Sequence, residues 1–464
     1  MNSNRTLPVL LYNASLLVGS VVGLPLALPL LLNSPKRRRT FLQRMGLKDL
    51  PAECSRPASG GLPCKPVWVH ALSVGEVLSA VPLVAALRAD TSETGLLFSA
   101  STLTGFQLAR SRVAGRARGA CYFPYDFPFA VRRLARRVDP QLFVMVETDI
   151  WPNFLGEMQR RRVPVIMVNA RLSERSFKGY RRARWIMRRI WPVFSAVCAQ
   201  SAADADRFRR LGVPADRICV TGNVKFDVPA DPLPPASVER LRSHLAIGPR
   251  QKVLVAGSTH PGEEALIAEA CARIKSRGID LRVVAAPRDP ARAAEVKRIF
   301  RSAGFSACRM TPEGSRPTGP GCEVTVVDTI GLLAQLYALA DAAFVGGSLV
   351  PCGGHNPLEP AVRAKPVLFG PHMHDFREIA RLLLEGGGAT QTLNVEDLAE
   401  ILVRLMGDGA LARAMGRRSA AVCRSQRGAV DKTLTVIKSY LHPQRLDTPS
   451  PGSVTRGSGT SDSL

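Results

Sequence analysis

Residues 67–88, VWVHALSVGEVLSAVPLVAALR, decide the fold. Val67–His70 is a short apolar run. Ser73 and Gly75 let the chain turn, and from 75 to 88 apolar residues recur at helical spacing. A strand that passes through a small-residue turn into a helix opens a βαβ unit. The unit repeats outward from here. Further strands are predicted at 96–99, 119–123, 141–146, 163–168 and 195–199, with helices at 127–137 and 201–211. Pro229–Pro235 (PADPLPP) interrupts the alternation, which resumes with strands at 252–256, 281–285, 323–327, 342–345 and 366–369. Strands that read as unbroken apolar runs belong to parallel sheets covered on both faces. The pattern predicts an α/β protein with two doubly wound, Rossmann-like domains facing one another across a cleft.

The expected boundaries are 1–35 for an N-terminal hydrophobic segment, 36–228 and 237–442 for the two domains, 229–236 for their linker, and 443–464 for a disordered tail rich in Ser, Gly and Thr. Residues 50–65, with their Pro, Ser, Gly and Cys, read as a shorter linker. A chain of 464 residues is too long for one ordinary core, in agreement with this division.

Charge separates the halves. Residues 1–230 carry 34 Lys+Arg against 15 Asp+Glu, a net of +19 out of the total +25. Such a surface meets something anionic, phosphate-bearing lipid or nucleic acid. The ten cysteines are scattered without a CxxC pair, so neither a zinc site nor a disulfide framework is indicated.

From Leu7 to Leu32 no residue is charged. As a helix these residues would span roughly 39 Å, against a hydrocarbon core of ~30 Å. Pro25 and Pro29 would kink the second half, while Asn13, Ser15 and Ser20 weaken the first. The expectation is a membrane anchor, spanning or half-inserted, with a buried core helix as the rival. Lys36, Arg37, Arg38 and Arg39 follow, and the positive-inside rule keeps everything downstream in the cytoplasm. In a second basic stretch, Arg181–Trp191, Trp185, Ile186, Ile190 and Trp191 lie among arginines. It suits an interfacial helix on anionic headgroups, or equally a surface helix with its apolar side on the core.

Ligands of open α/β sheets sit beyond the carboxyl ends of the strands, so those residues carry the chemistry. Glu76 follows the first strand and stands at a helix start, as a catalytic base or as a partner of the helix dipole. Glu147 and Asp149 follow 141–146. Two acids at that spacing can hold a divalent metal, or Glu147 can orient an arginine or a substrate hydroxyl. Asn169–Ser176 is a polar cluster fit for an anionic acceptor, and Lys225 closes the first domain. In the second domain, Gly257–Glu264 offers small residues and free amides suited to an anion, with neither a P-loop nor a GxGxxG pattern. Arg288 stands where it can grip a phosphate. Gly346–Ser348 and Gly353–Pro360 combine a glycine loop of exposed amides with His355, Asn356 and Glu359, able to hold a phosphate and ribose hydroxyls.

Taken in order, SVGE (73–76), ETDIWPN (147–153), NARLSERS (169–176), GNVKFD (222–227), APR (286–288) and GGHNPLEPA (353–361) resemble the bacterial Kdo transferases of lipopolysaccharide synthesis. The resemblance runs from about residue 65 to about residue 385 and takes in the hydrophobic start. It implies the GT-B fold, with an acceptor-binding first domain and a nucleotide-sugar-binding second one. It also implies inverting transfer of Kdo from CMP-Kdo to the lipid A precursor, without a metal or other cofactor, on the cytoplasmic side of the inner membrane. The implied partners are CMP-Kdo, the lipid A precursor and an anionic membrane surface, with no nucleic acid. By position, Glu76 becomes the general base, Glu147 and Lys225 support the transition state, and CMP is held by Pro287, Arg288, Ile330, Gly331, Leu332, Asn356, Pro357, Leu358 and Glu359. Three departures stand out. Asp149 replaces the usual Glu, Ile330-Gly331-Leu332 replaces Met-Gly-Glu, and Pro351-Cys352 replaces a Glu-Arg pair. Two rivals remain: a GT-B enzyme with a UDP-sugar donor, and a non-enzymatic protein that binds anionic lipid.

Overall fold

A computed structural model describes residues 7–48, 50–51, 54, 65–90, 95–113, 115–227, 233–310 and 321–441. The chain divides into two compact units. The first comprises the residues up to Asp227 together with those from Gly428 onward, and the second runs between them.

The first unit is built on a parallel sheet of β1 (Val67–Ala71), β2 (Leu96–Ala100), β3 (Gly119–Tyr122), β4 (Leu142–Val146), β5 (Val165–Ala170), β6 (Ala196–Ala199) and β7 (Ile218–Val220). Their order is β3-β2-β1-β4-β5-β6-β7. All five residues of β1, β2 and β4 are buried, which is why they read as apolar runs broken only by His70 and Ser99, two buried polar residues that hydrogen-bond each other. Trp68 anchors the core on one side, edge-on to Phe143 and Phe154, with centroids 5.4 and 5.2 Å away. Strand order reverses between β1 and β4, so the loops that leave these two strands border the crevice at the switch point.

The second unit repeats the plan with β8 (Lys252–Thr259), β9 (Leu281–Pro287), β10 (Ala307–Met310), β11 (Val324–Val327), β12 (Ala342–Val345), β13 (Val367–Phe369) and β14 (Ala389–Gln391). The order is β10-β11-β9-β8-β12-β13-β14, and the switch point lies between β8 and β12.

Several expectations need correction. β7, β10 and β14 were not predicted, and each lies at a sheet edge. Each is only three or four residues long, ICV, ACRM and ATQ, too short for a run or an alternation to stand out in the sequence. β8 runs on to Thr259, so Gly257–Thr259 is strand rather than loop. The second domain does not reach 442. The Ala429–Leu441 helix joins the first unit, where Asp227 accepts the N–H groups of Gly428 and Val430 at 2.7 and 2.6 Å. Residues 229–232 lie outside the described residues, and the end of the expected linker already belongs to a helix, Pro235–His244. Residues 443–464 and most of 50–65 also lie outside the described residues.

Leu7–Leu32 forms a helix of 26 residues. It is not a buried core helix, because Leu10, Leu11, Leu17, Val18, Val21 and Val22 are all more than half exposed. Among the described residues no helix is long and apolar enough to cross a membrane. The basic stretch divides at Ala183 between two helices, Glu174–Arg182 and Arg184–Ile190. Met187, Ile190 and Trp191 pack into the core while Trp185 is 49 % exposed. The core-facing reading therefore holds for most of its apolar residues, and Trp185 is the exception.

Candidate functional site

After β1 the chain enters the Val74–Asp90 helix through Ser73. Glu76 folds back to accept the N–H of Leu72 at 2.6 Å and the Ser73 hydroxyl at 3.1 Å, and its own N–H points to Ser73 Oγ at 3.4 Å. This is capping-box geometry, legible in the S-x-x-E spacing. The same carboxyl is unusual chemically. Burial, then the negative charge of Glu147, push its pKa up to about 7, against the lowering effect of the Leu72 N–H.

Glu147 leaves β4 with φ of 61°, a left-handed backbone that a residue with a Cβ adopts only under constraint. The turn throws its carboxylate toward Lys225, whose Nζ lies 3.4 Å away. Asn169, at φ 52°, holds the lysine's loop in place by accepting the N–H of Val224 at 3.2 Å. Asp149 is engaged elsewhere. It accepts from Trp151 Nε1 at 2.7 Å and lies 3.4 Å from His70 Nε2. The first unit thus brings Glu76, Glu147 and Lys225 together and turns Asp149 to a structural pair. NARLSERS serves the fold at several points: Ser173 caps its helix and Arg171 O accepts the Thr148 hydroxyl at 2.6 Å.

In the second unit some of the expected free amides are already taken. The buried Glu263 accepts the N–H groups of Gly347, Ser348 and Leu349 at 2.7, 2.9 and 2.9 Å, and that of His260 at 2.9 Å. A carboxylate of the chain itself occupies the nest formed by His260 and Gly347–Leu349, which takes these four amides out of the expected anion site. Gly346 is required for close approach, since a Cβ there would meet Ser258 O at 2.3 Å. At the switch point His260 and His355 stack with Nε2 atoms 2.8 Å apart, so one ring donates to the other. Burial, then Arg288 and His260, hold the His355 pKa down at about 4, so the His355 ring is uncharged near neutrality.

Arg288 follows β9 with an exposed side chain and its N–H bound to Thr259 O at 2.9 Å, while Pro287 ends the strand. Asn356 accepts the N–H of Leu358 at 3.1 Å, and Pro357 and Leu358 are buried. Burial raises the Glu359 carboxyl's pKa against the opposing charges of Arg363 and Arg288. Ile330 is 88 % exposed and Gly331 has φ of 102°. Leu332 instead packs against the core cluster that holds Leu336 and Tyr337, so its side chain serves the fold. Glu263 and the His260–His355 pair escaped sequence reasoning, because nothing local says which amides a carboxylate will claim.

The family model described as 3-Deoxy-D-manno-octulosonic-acid transferase (kdotransferase) matches residues 39–228. The 3-deoxy-D-manno-octulosonic acid transferase of Haemophilus influenzae is 31% identical over 409 residues, which cover 88% of this chain and 93% of the relative. The chain belongs to the Kdo transferase family. A second member, from Bordetella pertussis, is 33% identical over 81% of this chain and 87% of its own length. The family consists of glycosyltransferases, and the two-sheet architecture is that of the GT-B class. The crystal structure of Anabaena HepE in complex with UDP has the same fold, with TM-score 0.55, 16% identity, and coverage of 81% of this chain and 99% of that one.

Proposed function

We propose that this Kdo transferase moves Kdo from CMP-Kdo to a hydroxyl of the lipid A precursor, with inversion and without a metal. The observation that carries the reading is the Glu76 carboxyl, poised near pH 7 at the switch point of the first unit. A general base is most effective when its pKa lies near the working pH. Glu76 takes the proton as the acceptor hydroxyl attacks the anomeric carbon of Kdo, and the bond to the CMP phosphate breaks on the opposite face. Glu147 and Lys225, already paired, steady charge on the acceptor side. Arg288, exposed and at a strand end, meets the departing phosphate, and Pro287, Ile330, Gly331 and Asn356–Glu359 seat the nucleotide. Leu332 takes part only through its backbone. Positive charge from Arg288 and Lys225 does the work that a cation performs in metal-dependent transferases.

The same reading places the protein at the cytoplasmic face of the inner membrane. Support comes from the exposed apolar residues of the Leu7–Leu32 helix and the basic first unit. Such a helix lies in the interface with its apolar side among the acyl chains. Mass spectrometry of lipid A precursor incubated with CMP-Kdo and purified enzyme, with and without excess EDTA, tests the proposal. The expected result is a mass gain of Kdo under both conditions. No gain, or complete loss on chelation restored by magnesium or manganese, would overturn it.

A further inference from the structure

The first unit holds a cavity of about 420 Å³ that the chemistry above does not use. This lies within the ~300–1,000 Å³ usual for ligand sites. Its walls come from three helices: Val9 from Leu7–Leu32, Leu155 and Gly156 from Pro152–Arg160, and Ile186 and Ile190 from Arg184–Ile190. The lining is mostly apolar, with Tyr12 and Gln159 among it, and is crossed by two charges, Arg188 and Arg189, both on exposed residues.

The walls are fixed in place by polar contacts. Asn153 Nδ2 donates to Asn13 Oδ1 at 2.6 Å, and Tyr12 hydrogen-bonds Asp126. Asp126 also accepts the N–H groups of Asn153 and Phe154 at 2.9 and 2.8 Å, at the start of the Pro152–Arg160 helix. Asn13, which weakens a membrane-spanning reading of the sequence, is therefore a docking residue. Pro152, on the cavity wall, follows Asp149 by three residues, so the groove begins where the ETDIWPN loop leaves the catalytic sheet. Gly156 opens the floor. A Cβ built there meets nothing within 4 Å, and its helical backbone accepts any side chain.

The geometry points to an acyl-chain site for the acceptor: one hydrocarbon chain of a phosphate-bearing lipid lies in this groove, with its phosphate against Arg188. The inference rests on the proposed lipid acceptor. An apolar channel takes a chain without an unpaired polar group, and arginine grips phosphate with paired N–H donors. Charge complementarity selects an anionic lipid over a neutral or cationic amphiphile. The Leu7–Leu32 helix, which supplies one wall, carries the exposed Leu10 and Leu11 that suit a bilayer, so a chain reaches the groove without crossing water.

The test titrates full-length protein in detergent-free buffer with dodecyl phosphate below its micelle concentration, by calorimetry and without any nucleotide sugar. Dodecyl phosphate should bind at least tenfold more tightly than butyl phosphate or dodecyltrimethylammonium. Gly156→Leu, which fills the floor, should weaken dodecyl phosphate at least tenfold and leave butyl phosphate unchanged. Val9→Trp, filling from the opposite wall, should do the same, and unaltered thermal melting shows that either variant is folded. Equal binding of dodecyl phosphate by wild type and both folded variants would overturn the site, as would butyl phosphate binding as tightly as the long chain. A wild-type protein that binds dodecyl phosphate in this groove but transfers no Kdo would support the site and refute the functional reading instead.

Discussion

The Lys225 ammonium stands 3.4 Å from the Glu147 carboxylate, and Glu147 is in turn the first charge that raises Glu76. The charge on Glu147 therefore bears directly on the ionisation of Glu76. Glu147→Gln removes the negative neighbour while keeping the shape. Glu76 should then ionise more easily, and the acid limb of the pH profile of kcat/KM should move down by about one unit. The rate above that limb should fall as well, because the transition state loses a supporting charge. An acid limb unmoved in Glu147→Gln would separate the two carboxylates.

Glu263 fills the nest of the second unit with its own carboxylate. Glu263→Ala leaves four N–H groups without an acceptor, those of His260, Gly347, Ser348 and Leu349. Buried donors stripped of a charged partner are costly, so denaturant titration should show a loss of roughly 3–5 kcal/mol. A loss below ~1 kcal/mol would mean that water or another group takes over these amides.

Much of this was legible in the sequence, and apart from the three short edge strands the misses have a common cause. Eleven strands announce themselves because a parallel strand buried on both faces is almost wholly apolar, as in LFVMV. SVGE shows Glu76 at a helix start, and the spacing of Ser73 and Glu76 shows how it is held. What the sequence hides is long-range. Glu263 reaches amides 84 to 86 residues away, and Asn13 meets a partner 140 residues on. The last helix crosses back to the first unit through Asp227. Local pattern has no access to such pairings, because they depend on which loops the sheet order brings together.

Arg288→Ala should weaken CMP binding by about 2 kcal/mol, the scale of a charge-assisted hydrogen bond to phosphate. His355 loses a neighbouring positive charge in this variant, so its depressed pKa, about 4 in the wild type, should rise. Calorimetry with CMP and NMR titration of the histidines measure the two effects. Unchanged CMP affinity would move the donor site elsewhere.

Deleting residues 1–34 removes both the exposed apolar helix and its Tyr12 and Asn13 contacts to Asp126 and Asn153. Binding to anionic vesicles should fall only in part, since the basic surface remains. The residue of binding should disappear as salt rises and screening shortens the reach of charge. Flotation at low and high salt decides this. Salt-resistant binding of the truncated protein would require a second apolar insertion, with Trp185 the exposed candidate.

The central claim is that Glu76 is the base of a Kdo transfer, and one measurement bears on it directly. Purified wild type and Glu76→Gln are incubated with CMP-Kdo and lipid A precursor across pH 5–9, and the rate of Kdo addition is followed by mass spectrometry. Glutamine keeps the hydrogen-bonding shape of the capping box, so the fold and the affinity for CMP should survive. The wild-type kcat/KM should fall tenfold per unit as pH drops below about 7, where the Glu76 carboxyl takes up its proton. Glu76→Gln should be slower by at least ~100-fold, the scale of general-base catalysis, with no such limb. Transfer by Glu76→Gln at near wild-type rate, or with the same acid limb, would contradict the account.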